Sequence, residues 1–268
     1  MHRNILRYET KEMKQFIVDV FSDQPFQGNP AAVCVLQEWI PDELMISIAR
    51  ENNLSETAFA VKEGESYNLR WFTPTQEIDG CGHATIGTGF VILNEYEKKD
   101  EVIFNTLAGK LKVTRKGDIY EMDFPTYPLK EIPVTDEMES VIGVRPFKAY
   151  MGRDLLCILD DEQAVRCMNP EDKDLLRLPG FLLHVTAPGK EYDCISRSFA
   201  PKVGIHEDPV CGSGHCHIIP YWAKALNKVE ITAYQASARG GELYCKQLKG
   251  RTLVGGKARL FSKAELFL

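Results

Sequence analysis

Two glycine-rich stretches carry a cysteine 130 positions apart in a chain of 268 residues. The first is Asp79-Gly80-Cys81-Gly82-His83-Ala84-Thr85. The second is Asp208-Pro209-Val210-Cys211-Gly212-Ser213-Gly214-His215-Cys216. Each precedes a run that can form a helix. A helix start leaves backbone N–H groups without intrahelical partners and carries partial positive charge. Glycines such as Gly82, Gly212 and Gly214 let an anion approach that backbone closely. Two such turns facing one cleft would hold a carboxylate without an arginine. The helix start also favours a thiolate, so Cys81 and Cys211 are expected to have lowered pKa values. A facing pair of thiols could take a proton from one side of a carbon and return one to the other, which is racemisation or epimerisation. As small apolar side chains the same two cysteines could equally be buried packing.

Glu56 is the strongest acid candidate. It stands in Asn53-Leu54-Ser55-Glu56-Thr57-Ala58-Phe59, at the entrance of an apolar strand. A carboxyl partly buried there has a raised pKa and can shuttle protons near neutral pH; an exposed strand-end acid would do neither. His83 follows Cys81-Gly82 and could relay a proton, although a lone histidine is more often structural. Asp208 immediately precedes the second turn. Cys211, His215, Cys216 and His217 are dense but match no zinc spacing, so no metal is expected. No Walker motif, no dinucleotide fingerprint and no G-x-S-x-G elbow is present, so no cofactor and no serine hydrolase is expected.

The elements that must position these residues are strands around one helix per half. Expected strands are 14–20, 31–36, 55–61, 67–72, 102–105, 109–115 and 119–123. A first helix spans 41–52, with Pro41 in its first turn, and a second spans about 82–96, apolar nearly all round and therefore buried. The three prolines of 124–133 read as a linker. The second half repeats the theme, with helices at 136–142, 170–176 and 213–226. Its expected strands are 148–150, 154–159, 164–167, 181–186, 192–199, 231–237, 242–247 and 252–260. The sum is an α+β duplication with halves at 13–125 and 134–260. Met13 reads as a natural start, leaving 1–12 as an extension.

Composition bounds the function. The net charge is −6, so a broad electrostatic affinity for nucleic acid is not expected. No apolar stretch reaches the roughly 20 residues of a membrane helix, and no signal peptide is evident. The eight cysteines are scattered, as in a chain with reduced thiols, and a cytoplasmic location is expected.

Several motifs in order resemble the PhzF-like family of phenazine biosynthesis, within the diaminopimelate epimerase-like fold. They are Val18-Asp19-Val20-Phe21 with Phe26-Gln27-Gly28-Asn29-Pro30-Ala31-Ala32-Val33, then Asn53–Phe59, Gly80–Thr85, Glu207–His215, and Gln235 with Arg239-Gly240-Gly241. The resemblance covers essentially the whole chain after Met13. It implies two pseudo-symmetric halves, each a curved, mostly antiparallel sheet around a central helix. It also implies a site between them, no cofactor, a homodimer, and proton movement within a small carboxylate or amino-acid-like substrate. By the same resemblance Glu56 is the catalytic glutamate, His83 its support, Asp208 the aspartate, and Ser213 a donor to a substrate carboxylate. The chain departs at Cys211, where many such sequences carry threonine and the related racemases carry cysteine. A two-cysteine racemase or epimerase is therefore the alternative to an isomerase, and a catalytically silent binding protein on this fold is a third reading.

Overall fold

A computed structural model describes residues 13–268; the extension expected at 1–12 lies outside the described residues. The first half runs β1 (Met13–Val20), β2 (Asn29–Leu36), α1 (Asp42–Asn52), β3 (Glu56–Glu63), β4 (Ser66–Phe72), β5 (Glu77–Ile78), α2 (Gly82–Val91), a π-helical turn at Ile92–Tyr96, β6 (Glu101–Thr106), β7 (Gly109–Lys116) and β8 (Ile119–Pro125). The second runs β9 (Lys130–Ile132), α3 (Asp136–Ile142), β10 (Lys148–Met151), β11 (Leu155–Ile158), α4 (Glu162–Cys167), α5 (Asp172–Leu175), β12 (Leu183–Pro188), β13 (Cys194–Ala200), a 3-10 turn at Pro201–Val203, β14 (Ile205–Glu207), α6 (Gly212–Leu226), β15 (Glu230–Gln235), β16 (Gly241–Leu248), β17 (Arg251–Gly256) and β18 (Ala258–Leu266).

The pairing order of the strands repeats along the chain. β1–β2 is antiparallel, β2–β3 parallel, β3–β4 antiparallel, β4–β6 parallel, and β6–β7 and β7–β8 antiparallel. The second half repeats this order: β10–β11 antiparallel, β11–β12 parallel, β12–β13 antiparallel, β13–β15 parallel, then β15–β16 and β16–β17 antiparallel. β8 and β17 pair with each other and join the halves. The strand after each of these two crosses over: β9, which follows β8, pairs with β10 of the second half, and β18, which follows β17, pairs with β1 of the first.

Among the described residues all the strands join in one 18-stranded sheet, and α2 and α6 occupy equivalent places against the strands of their own halves. Burial on every side explains why α2 has no polar face: His83 through Gly89 and Val91 are all buried. Gly89 is needed there, because a Cβ would come within 2.6 Å of Val113 Cγ1. α1 packs on the outside of the first sheet through Met45, Ile48 and Ala49, against Phe59 and Phe72. Such side chains each contribute about 1.5–3 kcal/mol when fully buried. The central core runs through both halves, from Val20 and Ile86 to Leu156, Ile218 and Trp222.

Four local expectations are corrected. Residues 164–167 are helical, because Asp161 caps α4 by accepting from Gln163 N (3.1 Å) and Ala164 N (3.2 Å). Residues 130–132, inside the expected linker, form β9. The single strand expected at 252–260 is two, broken at Lys257, whose carbonyl accepts from Phe21 N. Pro41 is the residue before α1, in an extended conformation, rather than within its first turn.

Candidate active site

Cys81 is the N-cap residue of α2 and Cys211 that of α6. Around them gather side chains from both halves. Glu56, the first residue of β3, has a side chain 12% exposed, and its Oε2 lies 3.2 Å from His83 Nε2. The contact is misaligned as a hydrogen bond, so both atoms are buried without a partner. Cys81 Sγ lies 3.5 Å from His83 Nδ1. Asp208 faces this group from the second half. Its Oδ1 accepts from Asn29 Nδ2 (2.8 Å) and Val210 N (3.1 Å). Asn29 Nδ2 also donates to the Val210 carbonyl (3.1 Å), tying the start of β2 to the second turn, while its Oδ1 is another buried atom without a partner. The five sequence-predicted residues Glu56, Cys81, His83, Asp208 and Cys211 thus lie together, although they come from segments up to 155 positions apart.

The electrostatics follow from burial. Burial, then the nearby Asp208 carboxylate, raises Glu56 from 4.5 to about 7, with a hydrogen bond from Cys81 opposing them. Burial lowers His83 from 6.5 to about 4, partly offset by the Pro30 carbonyl. Asp208 is also raised by burial, against the hydrogen bonds from Cys211 and Val210. Both thiols are pushed well above their ordinary value, chiefly by burial. The next contribution is the Glu56 carboxylate for Cys81 and the Asp208 carboxylate for Cys211. This corrects the expected lowering: the helix start is present, but desolvation and adjacent carboxylates outweigh it.

The second turn is heavily braced. Gln235 Oε1 accepts from Cys211 N (2.9 Å) and its Nε2 donates to the Asp208 carbonyl (2.5 Å). Cys211 Sγ accepts from Gly214 N (3.3 Å) and lies 3.6 Å from Ser213 Oγ. Ser213 Oγ in turn accepts from Arg153 Nη2 at 3.3 Å. The glycines keep backbone close to its neighbours: a Cβ at Gly82 would meet Phe124 Cζ at 2.9 Å, and one at Gly214 would meet His184 Cε1 at 2.6 Å.

The dense Cys-His run after Cys211 does not converge. His215 Nδ1 donates to the Cys211 carbonyl, Cys216 Sγ to the Gly212 carbonyl, and His217 stacks on Tyr127. Among the described residues two other groups bring three potential ligand atoms within 4.8 Å of one another: Glu56, Cys81 and His83, and the buried Asp154, His184 and His217. In the second, Arg153 already holds both Asp154 oxygens, which places a positive charge where an ion would need the carboxylate. In the sequence Asn29 and Gln235 stand out only as parts of motifs, and no local pattern marks Arg153. Arg153 sits beside Asp154 in the connection between β10 and β11, and only the strand pairing brings it to the second turn.

The model of the PhzC-PhzF family, described as phenazine biosynthesis-like protein, matches residues 18–264. A Pseudomonas aeruginosa protein named as an uncharacterized isomerase is 46% identical over 253 residues, covering 94% of this chain and 97% of its own. The crystal structure of a phenazine biosynthesis protein of the PhzF family from Enterococcus faecalis superposes with a TM-score of 0.94. It is 48% identical, covering 96% of this chain and 100% of its own. A hydroxyproline epimerase from Agrobacterium vitis, 11% identical with a TM-score of 0.59, covers 97% of this chain and 92% of its own and shares the fold.

Proposed function

This chain belongs to the phenazine biosynthesis-like PhzC-PhzF family, and from that premise we propose that it is an isomerase that moves a proton within a small carboxylate or amino-acid-like substrate, by acid–base catalysis and without a cofactor. The observation that carries the reading is the Glu56–His83 pair. It is buried and misaligned, and it faces a second carboxylate, with Glu56 poised at about 7. Holding two carboxyl groups and a histidine out of water costs stability, and a base poised near the working pH is what general catalysis requires.

In this reading the substrate carboxylate rests at the start of α6, where Ser213 Oγ donates to it and the helix end supplies positive potential. Ionised Glu56 takes a proton from a carbon beside the carboxylate. The electron pair left behind spreads into the adjacent unsaturated system, and protonated Glu56 returns the proton to a carbon further along it. Neutral His83, in contact with the Glu56 carboxyl at 3.2 Å, relays the proton over short distances. Burial, and after it Asp208, fixed by Asn29 and the Val210 amide, keep Glu56 high enough in pKa to give the proton back.

The two-thiol racemase is less well supported. Both thiols are pushed up, so neither is a ready thiolate base. The test is deuterium incorporation from heavy water into a panel of small cyclic and unsaturated amino and carboxylic acids, read by mass spectrometry. Wild type is expected to label at least one member. Glu56→Gln should slow that labelling by at least about 100-fold, the usual scale of a general acid–base contribution. Labelling by Glu56→Gln at the wild-type rate would remove Glu56 from the mechanism.

A further inference from the structure

The connection between β10 and β11 delivers a guanidinium to the start of α6. Arg153 Nη2 lies 3.3 Å from Ser213 Oγ, the hydroxyl next to Cys211 Sγ. The arginine borders the second turn from the solvent side, with 36% of its side chain exposed, while its partner Asp154 is fully buried.

Arg153 is held rather than free. Its Nε and Nη2 donate to the Asp154 oxygens at 3.0 and 2.6 Å. Asp154 is fixed in turn by His184 Nε2 (3.0 Å) and Leu182 N (3.3 Å). His184 Nδ1 meets Ser198 Oγ at 2.9 Å, and Ser198 reaches Gln235, the residue that braces Cys211 N. The guanidinium lies over the Tyr127 ring at 4.8 Å and near Phe181 at 5.9 Å. Tyr127 is backed by His217, with the rings stacked 4.4 Å apart. A guanidinium fixed in this way has already lost its rotamer freedom, so binding an anion orders little more.

Donor counting leaves capacity on the guanidinium beside the start of α6. Of five N–H groups, Nε and one on Nη2 go to Asp154. The other on Nη2 points to Ser213, and one on Nη1 goes to the Tyr127 hydroxyl at 3.2 Å. One Nη1 proton has no partner among the described residues. The Ser213-facing proton meets a hydroxyl that can turn its own hydrogen outward to an incoming anion. A side chain needed only to neutralise Asp154 would not have to extend to the helix start.

We propose that Arg153 is a substrate-binding residue of the cleft, which together with Ser213 selects ligands bearing a carboxylate over their neutral amides. The proposal rests on the placement of the substrate carboxylate at the start of α6 given above. A planar fork matches the two oxygens of a carboxylate and gains nothing comparable from an amide.

The experiment is titration calorimetry with pyrrole-2-carboxylate and 2-aminobenzoate, each against its primary amide. These planar acids mimic a substrate carbon flattened by proton loss. Wild type should bind at least one acid more tightly than its amide. Arg153→Gln should weaken the acid by about 10-fold or more, the scale of a charge-assisted hydrogen bond, and change the amide by less than about twofold. Arg153→Lys should fall between, since the charge stays and the fork is lost. The assignment is overturned if Arg153→Gln binds the acid as wild type does, or loses acid and amide alike. It is overturned equally if wild type prefers neither acid to its amide. Glu56→Gln separates this from the catalytic reading. It should bind the acids normally while losing deuterium exchange; if it keeps exchange, the Glu56 mechanism fails and the Arg153 binding result stands.

Discussion

Aligned on their cysteines, the two glycine-rich turns are less alike than their composition suggests. Four residues after each cysteine a side chain closes the helix start: Thr85 Oγ1 donates to the Cys81 carbonyl at 2.5 Å, and His215 Nδ1 donates to the Cys211 carbonyl at 2.8 Å. His215 is therefore the counterpart of Thr85. It is fully buried and also meets Ser196 Oγ at 3.3 Å. The counterpart of His83 is Ser213. The first turn thus sets a histidine against a buried glutamate, whereas the second sets a hydroxyl against an arginine. The first holds titrating groups with unpartnered atoms; the second is braced by Asn29, Gln235 and the Arg153–Asp154 pair. On the proposed reading, one duplicated scaffold separates proton transfer from anion binding.

The sharpest way to break this comparison is through stability against pH, read at the buried glutamate that faces the first turn. Glu56 has its folded pKa raised from 4.5 to about 7. Its contribution is fully present below 4.5 and is lost as pH rises through 7. The rise corresponds to ~3 kcal/mol of lost stability above pH 7. Glu56→Gln has no such loss. Its stability relative to wild type is expected to climb from near equality at pH 4.5 to a gain approaching ~3 kcal/mol at pH 8.5. Urea unfolding of both proteins across that range measures it. His83, lowered to about 4, loses stability as pH falls from 6.5 in both proteins, so the gap between them is read most directly above that pH. A constant gap across the range would show that Glu56 is not held high by its surroundings.

A smaller effect tests how rigid each turn is. A methyl at Gly214 would meet His184 at 2.6 Å, and that ring is locked between Asp154 and Ser198. Gly214→Ala should cost about 1–3 kcal/mol, the range for overpacking a fixed site. A methyl at Gly82 would meet only the far end of Phe124 at 2.9 Å, a half-buried ring at the end of β8. That ring can swing aside, so Gly82→Ala should cost less than about 1 kcal/mol. Denaturation midpoints decide between them, and equal losses would mean that the first turn is as tightly enclosed as the second.

What could be read from the sequence was local. A cysteine before a glycine and a helical run gave both N-caps, and Glu56 at the mouth of an apolar strand gave the buried acid. Residues positioned through strand pairing were not legible in that way. Asn29 reaches Asp208 across 179 positions, and Gln235 acts through a strand register that no local pattern encodes. The strand expected at 164–167 rested on Ala-Val-Arg-Cys taken alone. The deciding partners lie just before it: Asp161, which caps the helix, and Glu162, which pairs with Arg166 at 2.7 Å. The strand exchange of β9 and β18 was hidden by prolines in one case and by the short break at Lys257 in the other. The thiol expectation failed for a different reason: the sequence shows the helix start but not the depth at which the cysteine is buried.

The smallest expected effect falls on the residue that first suggested a racemase. Cys211 is buried against Leu182 and Ala200, and its Sγ does the work of a cap by accepting from Gly214 N. Its thiol is pushed well above its ordinary value, so the group at this position is neutral at working pH. Threonine is also neutral and of similar size. Its hydroxyl can accept the same N–H, and threonine is a favoured N-cap residue. Cys211→Thr should therefore keep deuterium exchange within about threefold of wild type and shift stability by no more than about 1 kcal/mol, the scale of a cap. If Cys211 were instead one of two bases, the hydroxyl of threonine could not replace it, because its pKa lies far above that of a thiol. Exchange would then vanish in Cys211→Thr while surviving in Glu56→Gln. That pattern would transfer the chemistry to the second turn and undo the division of labour between the two halves.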